Sequence, residues 1–540
     1  MYMARIIDDG VMPGDLSVIT EIAIYMLIVA AIGLVANVAN VYISSRTAVG
    51  FGADLRSKLF ARIEEFSFGE IDKFSSASLV TRLTNDVFRI QMLVQLSLRL
   101  LLRSPMMIIM ALFFVIRINP KLTLIVAAVI PIMAVGVYFV LKKGLPLFLR
   151  VQKKLDKVNS IVRENLINMR VVKSFVREKF EEEKFEKSNE ELRDFSIRAS
   201  NTIIAIFPLM QMIMNLSVVA ALWFGGNMVI SESLKVGELV SVVNYLMQIL
   251  MSLMMLSMVI MSFARASVSS ERISEVLDTK PLLMNNERGE QNVCHIDRGN
   301  VEFREVCFRY PGGEEDVLSD ISFCVESGKR VAIVGSTGSG KSTLIQLIPR
   351  LYDVTKGAVL VDGTDVRDYN LKELHEKIGV VLQKNELFTG TIEENLRWGK
   401  RDATSQELVE AAKIAQAHDF IMSFPDGYQT VLGRGGINVS GGQKQRLCIA
   451  RTLLRYPKIL ILDDSTSAVD TDTEQKIREA LDRVLGGTTL FIVTQRVETM
   501  NSSDLIILLN EGAISMVGTP AELQEKSEIY REIYASQSKS

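Results

Sequence analysis

The chain has 540 residues, a formal net charge of −2 and 23% charged residues. One hydrophobic core rarely supports that length, so a single small domain is excluded and two or more domains are expected. The near-neutral charge is an average over two halves of different composition. Long uncharged segments end near residue 265, and a composition ordinary for soluble proteins follows.

Long uncharged segments in the first half predict membrane helices, since about 20 apolar residues cross the hydrocarbon of a bilayer. Four such segments lie between Glu21 and Arg46, Lys121 and Lys142, Arg198 and Glu232, and Glu238 and Arg265. A shorter one runs from Leu100 to Ile118, and a tight Asn119-Pro120 link joins it to the next. The sequence therefore predicts an α-helical transmembrane domain with five spans.

The loops between these spans alternate in length and charge. Residues 46–103 and 142–198 are long and rich in Lys and Arg, whereas residues 117–121 and 231–238 are short. Basic loops stay on the cytoplasmic side of a membrane. We therefore expect a multi-pass protein of the cell membrane, with its C-terminal half in the cytoplasm and its first residues on the outer side.

A polar, turn-rich stretch follows the last span and predicts a linker. We expect a transmembrane domain over residues 1–278, a linker over 279–300 and a second domain over 301–540. All four cysteines follow the last span, without CxxC spacing or a histidine pattern that would form a metal site. This cysteine usage indicates a reduced, cytosolic domain.

A short β-branched run, Arg330 to Val334, leads directly into a glycine-rich loop and then into a helical pattern. Loops of this kind turn backbone N–H groups toward phosphate, while the lysine neutralises the β and γ oxygens and the next hydroxyl ligates Mg²⁺. The sequence thus predicts an ATP-binding loop formed by Gly335, Ser336, Thr337, Gly338, Ser339, Gly340, Lys341, Ser342 and Thr343.

Downstream, the apolar run from Ile459 to Leu462 predicts a buried strand that ends in Asp463. A carboxylate in that position helps to hold Mg²⁺ in P-loop enzymes. We therefore expect Ser342 and Asp463 to share the cation. Loop and strand together indicate an α/β P-loop NTPase domain with a mostly parallel sheet.

The segment Val439-Ser440-Gly441-Gly442-Gln443-Lys444-Gln445-Arg446 resembles the signature motif of ABC transporter ATPases. Ser440 and two glycines at the start of a helix form a second anion site, suited to the γ-phosphate of a nucleotide on another subunit. The resemblance implies that two such domains enclose two ATP molecules head to tail, each site pairing one chain's phosphate loop with the other's signature. The candidate catalytic residues of the signature are Ser440, Gly441, Gly442 and Gln443.

Other residues fit the same family. Tyr310 resembles the aromatic residue that stacks on adenine, Gln383 resembles the Q-loop ligand of Mg²⁺, and residues 467–470 resemble the D-loop. Residues 74–86 resemble the first cytoplasmic loop of ABC exporters, which have six spans per half. One span fewer is expected here, because the start of the chain resembles the segment that comes after the family's first span.

Two positions depart from the family pattern. Asp464 stands where the family usually has the glutamate that polarises the attacking water, and Gln495 stands in place of the switch histidine. The glutamine can hydrogen-bond the γ-phosphate but transfers no proton. With its signature intact, the chain resembles the degenerate-site subunit of heterodimeric ABC multidrug exporters, whose partner keeps the glutamate and the histidine. The alternative is a homodimer whose Asp464 hydrolyses slowly.

The predicted function is ATP-driven export of small apolar or amphipathic compounds across the membrane, with weak hydrolysis at the chain's own site and no nucleic-acid partner. The cargo class depends on a helical stripe that suits either promiscuous binding or ordinary helix packing: Met247, Met251, Met254, Met258 and Met261. Two alternatives stay open. One is a lipid or peptide exporter, and the other is a nucleotide-sensing regulatory subunit that moves no substrate itself.

Overall fold

The structure is a computed structural model that describes residues 1–204, 206–283, 295–464, 471–484 and 486–537. The chain divides into two compact units, Met1–Ile63 with Ala77–Thr279 and Glu64–Ser76 with Lys280–Ser540. The first unit is helical and the second is α/β, which confirms the predicted fold class. The limits at residues 278 and 301 stay a prediction, because much of the linker lies outside the described residues.

Long helices make up the first half of the chain. They are α1 (Tyr2–Arg5), α2 (Leu16–Glu64), α3 (Phe68–Phe74), α4 (Ser76–Thr81), α5 (Val87–Leu96), α6 (Arg103–Ile118), α7 (Pro120–Ile167), α8 (Met169–Ser174), α9 (Glu178–Ile204), α10 (Ile206–Ile230) and α11 (Val236–Asp278). Short π-helical segments cover Ile6–Val11, Arg82–Asp86 and Ser97–Leu101.

Four helical segments of the described chain are long and apolar enough to cross a membrane: Leu16–Glu64, Ser76–Ile118, Pro208–Ile230 and Val236–Ile260. The predicted span between Lys121 and Lys142 falls in α7, where Pro120–Met133 is a shorter apolar stretch. The predicted hairpin is present, since α6 ends at Ile118 and α7 begins at Pro120. The Asn119 side chain caps α7 by accepting a hydrogen bond from the Lys121 N–H at 2.9 Å.

Helices α6, α7, α10 and α11 share one apolar core in the first unit. Its buried members include Val115, Val126, Met133, Ala221 and Leu246. Farther along α11, the Ser269 hydroxyl donates to the buried Asp86 carboxylate at 2.7 Å. Asp86 belongs to the segment that resembles the first cytoplasmic loop of exporters, so this bond fixes the end of that segment on α11.

The strands of the second unit are β1 (Val301–Phe308), β2 (Leu318–Val325), β3 (Arg330–Gly335), β4 (Lys356–Val361), β5 (Thr364–Asp365), β6 (Ile378–Val381), β7 (Gly390–Thr391), β8 (Val431–Leu432), β9 (Ile459–Asp463), β10 (Thr489–Val493), β11 (Leu505–Asn510) and β12 (Ala513–Gly518). They form a four-stranded sheet in the order β2-β1-β4-β5, a six-stranded sheet in the order β12-β11-β3-β10-β9-β6, and the pair β7-β8.

The helices of this unit, besides α3, are α12 (Lys341–Leu347), α13 (Leu371–Lys377), α14 (Ile392–Arg397), α15 (Ser405–Ile414), α16 (His418–Met422), α17 (Gly441–Leu453), α18 (Thr471–Val484), α19 (Val497–Asn501), α20 (Pro520–Lys526) and α21 (Glu528–Gln537). Five strands of the larger sheet run parallel, and β12 is antiparallel to β11. Parallel strands are covered on both faces, and β9 and β10 are accordingly buried along their whole length.

Candidate ATP-binding and hydrolysis site

The carboxyl ends of β3, β10 and β9 lie side by side, because these strands are adjacent and parallel. Val493 of β10 pairs with Ile333 on one side and with Asp463 on the other. The loop after β3, Asp464 after β9 and Gln495 after β10 therefore leave the sheet at one edge. Open α/β sheets bind their ligands at this edge, so the structure brings the proposed site residues of these three segments together.

The phosphate loop, residues 335–343, turns sharply before α12. Gly338 and Gly340 have φ angles of +84° and +91°, a region that residues with side chains rarely adopt. A Cβ atom on Gly340 would also lie only 2.7 Å from Leu318 Cδ2. Glycine is therefore required at this turn, which leaves backbone N–H groups available to phosphate.

The Lys341 side chain folds back over this loop. Its ammonium donates to the carbonyl oxygens of Gly335 at 3.0 Å and of Ser336 at 2.6 Å. Burial lowers the pKa of Lys341, and the charges of Asp463 and Asp464 oppose that shift. The Lys341 ammonium therefore lies at the loop that we propose holds the phosphates.

Ser342 and Asp463 are close enough to hold one cation together. The Ser342 hydroxyl donates to Asp463 Oδ1 at 3.0 Å. Burial raises the pKa of Asp463, the hydroxyl bond opposes the shift and the neighbouring Asp464 charge adds to it. Among the described residues, no group of three or more His, Cys, Asp or Glu side chains could hold a metal. One hydroxyl and one carboxylate suit Mg²⁺, which usually completes its shell with water and phosphate oxygens.

The proposed adenine-stacking residue, Tyr310, and the proposed Q-loop residue, Gln383, are placed by different elements. Tyr310 is half-buried, and its hydroxyl is 2.9 Å from the Thr343 hydroxyl at the end of the phosphate loop. Gln383 follows β6, the strand next to β9, and its side chain is exposed. Tyr310 is thus bonded to the phosphate loop, whereas Gln383 is one strand away from Asp463 with its amide open to solvent.

The two residues that depart from the ABC pattern adopt different local structures. Asp464 has a φ angle of +47°, and its N–H donates to Val493 O at 3.2 Å. Aspartate enters this left-handed region more readily than most residues with side chains. Gln495 is exposed, directly after the buried Thr494, whose N–H donates to Ile333 O at 3.3 Å. Backbone bonds thus hold both residues at the sheet edge.

The signature segment begins α17 with a reciprocal cap. The Ser440 hydroxyl accepts from the Gln443 N–H at 3.3 Å, and the Gln443 side chain accepts from the Ser440 N–H at 2.9 Å. The hydroxyl keeps its own proton to donate. Ser440 and Gly441 are exposed, whereas Gln445 and Leu447 are buried. The segment therefore offers solvent a helix N-terminus and a hydroxyl donor, which suits an anion.

The comparisons with known proteins agree with this arrangement. The family described as the ABC transporter transmembrane region matches residues 1–253, and the family described as ABC transporter matches residues 318–467. YfiB of Bacillus subtilis (strain 168), named as an uncharacterized ABC transporter ATP-binding protein, is 40% identical over 537 residues. The match covers 99% of this chain and 93% of that protein. This chain belongs to the ABC transporter family.

Two further matches describe the type of ABC transporter. YgaD of Bacillus subtilis (strain 168), named as a candidate multidrug export ATP-binding/permease protein, is 34% identical and covers 92% of this chain and 85% of its own length. The structure of a bacterial Atm1-family ABC exporter with ATP bound matches with a TM-score of 0.85 and 27% identity, over 99% of this chain and 95% of that chain. This ABC transporter is an exporter-type half transporter, a membrane protein with a cytoplasmic ATPase domain that couples ATP to export.

The sequence analysis missed one group next to Gln495. The Arg496 guanidinium pairs with the carboxylate of Glu474 in α18, which is 5% exposed. Glu474 also accepts from the Thr499 hydroxyl at 2.9 Å. These bonds hold the segment after β10 against α18. Arg496 and Glu474 lie 22 positions apart with no motif between them that predicts the contact. The D-loop positions 467–470 lie outside the described residues.

Proposed function

We propose that this ABC exporter is one half of a heterodimer that exports apolar or amphipathic compounds and that its own ATP site hydrolyses slowly. The observation that supports the proposal is a contrast at one sheet edge. Lys341 is bonded to the phosphate loop and Ser342 to Asp463, an arrangement that suits ATP and Mg²⁺. Beside them, Asp464 and Gln495 stand where the family has the residues of hydrolysis.

Binding would depend on the phosphate loop and its neighbours. When bound, ATP supplies the phosphoanhydride bond whose hydrolysis drives export. The loop N–H groups and the Lys341 ammonium would face the phosphates, and Tyr310 would stack on the base. Ser342 and Asp463, with Gln383 approaching from the next strand, would hold Mg²⁺.

Hydrolysis at this site would be slow because the side chain of the proposed base, Asp464, is short and the side chain at the switch position, Gln495, is neutral. A well-placed general base contributes about 10²–10⁴-fold to a rate, and the contribution depends on hydrogen-bond reach. Asp464 lacks one methylene of glutamate, and its backbone is fixed by the bond to Val493. Gln495 can donate a hydrogen bond but accepts no proton in exchange. The homodimer with a slow Asp464 remains the second candidate.

The complementary role of the chain would be to complete the partner's site. Ser440 presents its hydroxyl at the exposed start of α17, where it could reach a γ-phosphate held by another chain. In that arrangement the partner supplies glutamate and histidine, and this chain supplies Ser440, Gly441 and Gly442. The assembled transporter would then have one fast site and one slow site.

The proposed cargo class is supported by exposed methionines on α11. Met251 and Met258 are 57% and 53% exposed, seven positions apart on one face of the helix. Methionine is flexible and polarizable and suits binding surfaces that accept many apolar shapes. The name of YgaD refers to multidrug export, which agrees with this class.

The partner is tested by purifying the tagged chain from its native membrane. We expect a second, different ABC half in equal amount, with Glu at the position that corresponds to Asp464 and His at the position that corresponds to Gln495. The untagged strain is the control. Recovery of this chain alone, as a dimer of identical copies, would overturn the heterodimer.

The cargo is tested by reconstituting the purified transporter in vesicles and measuring ATP-dependent movement of an apolar dye. Met251→Gln with Met258→Gln should slow dye movement several-fold, since polar amides replace the apolar surface, and should leave ATP hydrolysis without dye unchanged. Met422→Gln, at an exposed methionine of α16, is the matched control. Movement of a lipid or a peptide but no dye, or ATP binding without movement of any cargo, would support the alternatives instead.

A further inference from the structure

Helix α3 is attached to the second unit by a buried carboxylate. Glu70 is 2% exposed, and it accepts from the Leu282 N–H at 2.6 Å and from the Ser67 N–H at 2.8 Å. The second bond closes a capping box at the start of α3. Glu70 thus fixes the position of a helix that comes from the first half of the sequence.

Tyr352 connects this helix to the aromatic residues near the phosphate loop. Its hydroxyl donates to Asp72 Oδ2 of α3 at 2.7 Å, and its ring centroid is 6.2 Å from that of Phe68. Burial raises the pKa of Tyr352, and the Asp72 carboxylate adds to the shift. The hydroxyl therefore keeps its proton throughout the physiological range and can serve as a permanent donor to Asp72.

The Tyr352 ring also packs against Tyr310. The two centroids are 5.2 Å apart and the planes cross at 88°, an edge-to-face contact. Phe308 makes a second edge-to-face contact with Tyr310 at 4.9 Å, and the Tyr310 hydroxyl is bonded to Thr343. The orientation of Tyr310 is thus set by two rings and one hydrogen bond.

We propose that Tyr352 is a positioning residue of the nucleotide site: its ring orients Tyr310 for stacking on the base, and its bond to Asp72 makes that orientation depend on α3. The inference rests on the proposed ATP site, since it assigns to Tyr310 a base on which to stack. Stacking requires the ring face to stay open while its edge is held. The T-shaped contacts with Phe308 and Tyr352 restrict how the Tyr310 ring can turn.

The proposal is tested by measuring how much the base contributes to binding. The full-length transporter is photolabelled with a radioactive azido-ATP, and label is counted on this chain alone. ATP and inorganic tripolyphosphate compete for the label. The half-maximal concentration of tripolyphosphate divided by that of ATP reports the contribution of the base and the ribose. Tyr352→Leu should lower that ratio about three- to tenfold, a part of what a base stacked on an aromatic ring contributes.

Two smaller changes test the hydrogen bond to α3. Tyr352→Phe keeps the ring, and Asp72→Ala alters an exposed side chain, so both variants should fold. Each should lower the ratio by the same factor of about two, and the double variant should lower it no further, because both remove one bond. Tyr428→Phe, which removes a hydroxyl bonded to His418, should leave the ratio unchanged.

The outcomes separate this inference from the proposed function. A wild-type ratio in Tyr352→Leu would overturn the positioning role, and additive losses in the double variant would overturn the link to α3. If ATP fails to reduce photolabelling of the wild-type chain at all, the ATP site itself is absent and the proposed function fails instead.

Discussion

The phosphate-loop side of the sheet edge and the side after β9 and β10 differ in how closely they follow the ABC pattern. On the first side, Lys341, Ser342 and the glycines of the loop form the bonds and turns that the family motif requires. On the second side, a short carboxylate at Asp464 and a neutral amide at Gln495 occupy the positions of hydrolysis. In the proposed function the first side serves binding and the second serves turnover, so turnover could weaken while binding is kept.

The signature helix adds to this comparison. Ser440 caps α17, is exposed and keeps the residue type of the family motif. In the head-to-tail arrangement, however, it would serve the partner's nucleotide. A chain that only bound nucleotide at its own site would not need an intact signature segment. The contrast therefore agrees with the proposal that this chain contributes to turnover at the partner's site.

The largest effect is expected from Ser440→Ala in the assembled transporter. It removes a donor from the partner's site, where loss of one pre-organised donor costs about 10²–10³-fold in turnover. Thr404→Ala is the matched control, because Thr404 caps α15 with the same reciprocal arrangement to Glu407. Steady-state ATPase rates decide the matter. An equal loss in both variants would mean that the cap, and not the phosphate contact, carries the effect.

Lys341→Ala should weaken nucleotide binding to this chain by roughly tenfold to a hundredfold, the size expected for a hydrogen bond to a charged group. Photolabelling of this chain at increasing ATP concentration measures it. Lys400→Ala removes a partly exposed lysine paired with Glu407 and should have no effect on nucleotide binding. Undiminished labelling of Lys341→Ala would contradict the proposal that the phosphate loop binds ATP.

A smaller effect is expected from pH at Asp463. Because burial raises the pKa of this carboxyl in the folded chain, its ionised form costs stability. That cost is absent below the ordinary pKa and grows as pH rises through the raised one. Asp463→Asn should therefore raise the Tm modestly at pH 7 in chelator, and the gain should shrink on acidification. A gain that is the same at every pH would show that the charge is not the cause.

The fold class and the phosphate loop could be predicted because their signals are local. Glycines at fixed spacing, a lysine and a preceding apolar strand lie within a few residues of one another, and the turn at Gly340 needs that residue type. Long uncharged segments likewise predict spans without knowledge of tertiary contacts. The predicted hairpin at Asn119 is of this kind, since the cap acts on the two residues directly after Pro120.

The remaining features depend on contacts between distant positions. Asp72 and Tyr352 are 280 positions apart, so no periodicity could predict that α3 belongs with the second unit. The pairing of Glu474 with Arg496 is likewise not predicted by any pattern in the sequence. The φ angle of +47° at Asp464 depends on how β9 ends beside β10. The sequence shows only that aspartate replaces the glutamate of the family at this position.

The central claim is that this chain's own site contributes little to turnover, and Asp464→Asn tests it most directly. Asparagine tolerates the same left-handed backbone, so the change removes the carboxylate charge and leaves the turn in place. ATPase rates of Asp464→Asn and Ser440→Ala are compared in the same purified transporter. We expect Asp464→Asn to lose less than about twofold, against about 10²–10³-fold for Ser440→Ala. A loss in Asp464→Asn as deep as that in Ser440→Ala would show that Asp464 is a working base and would favour the homodimer.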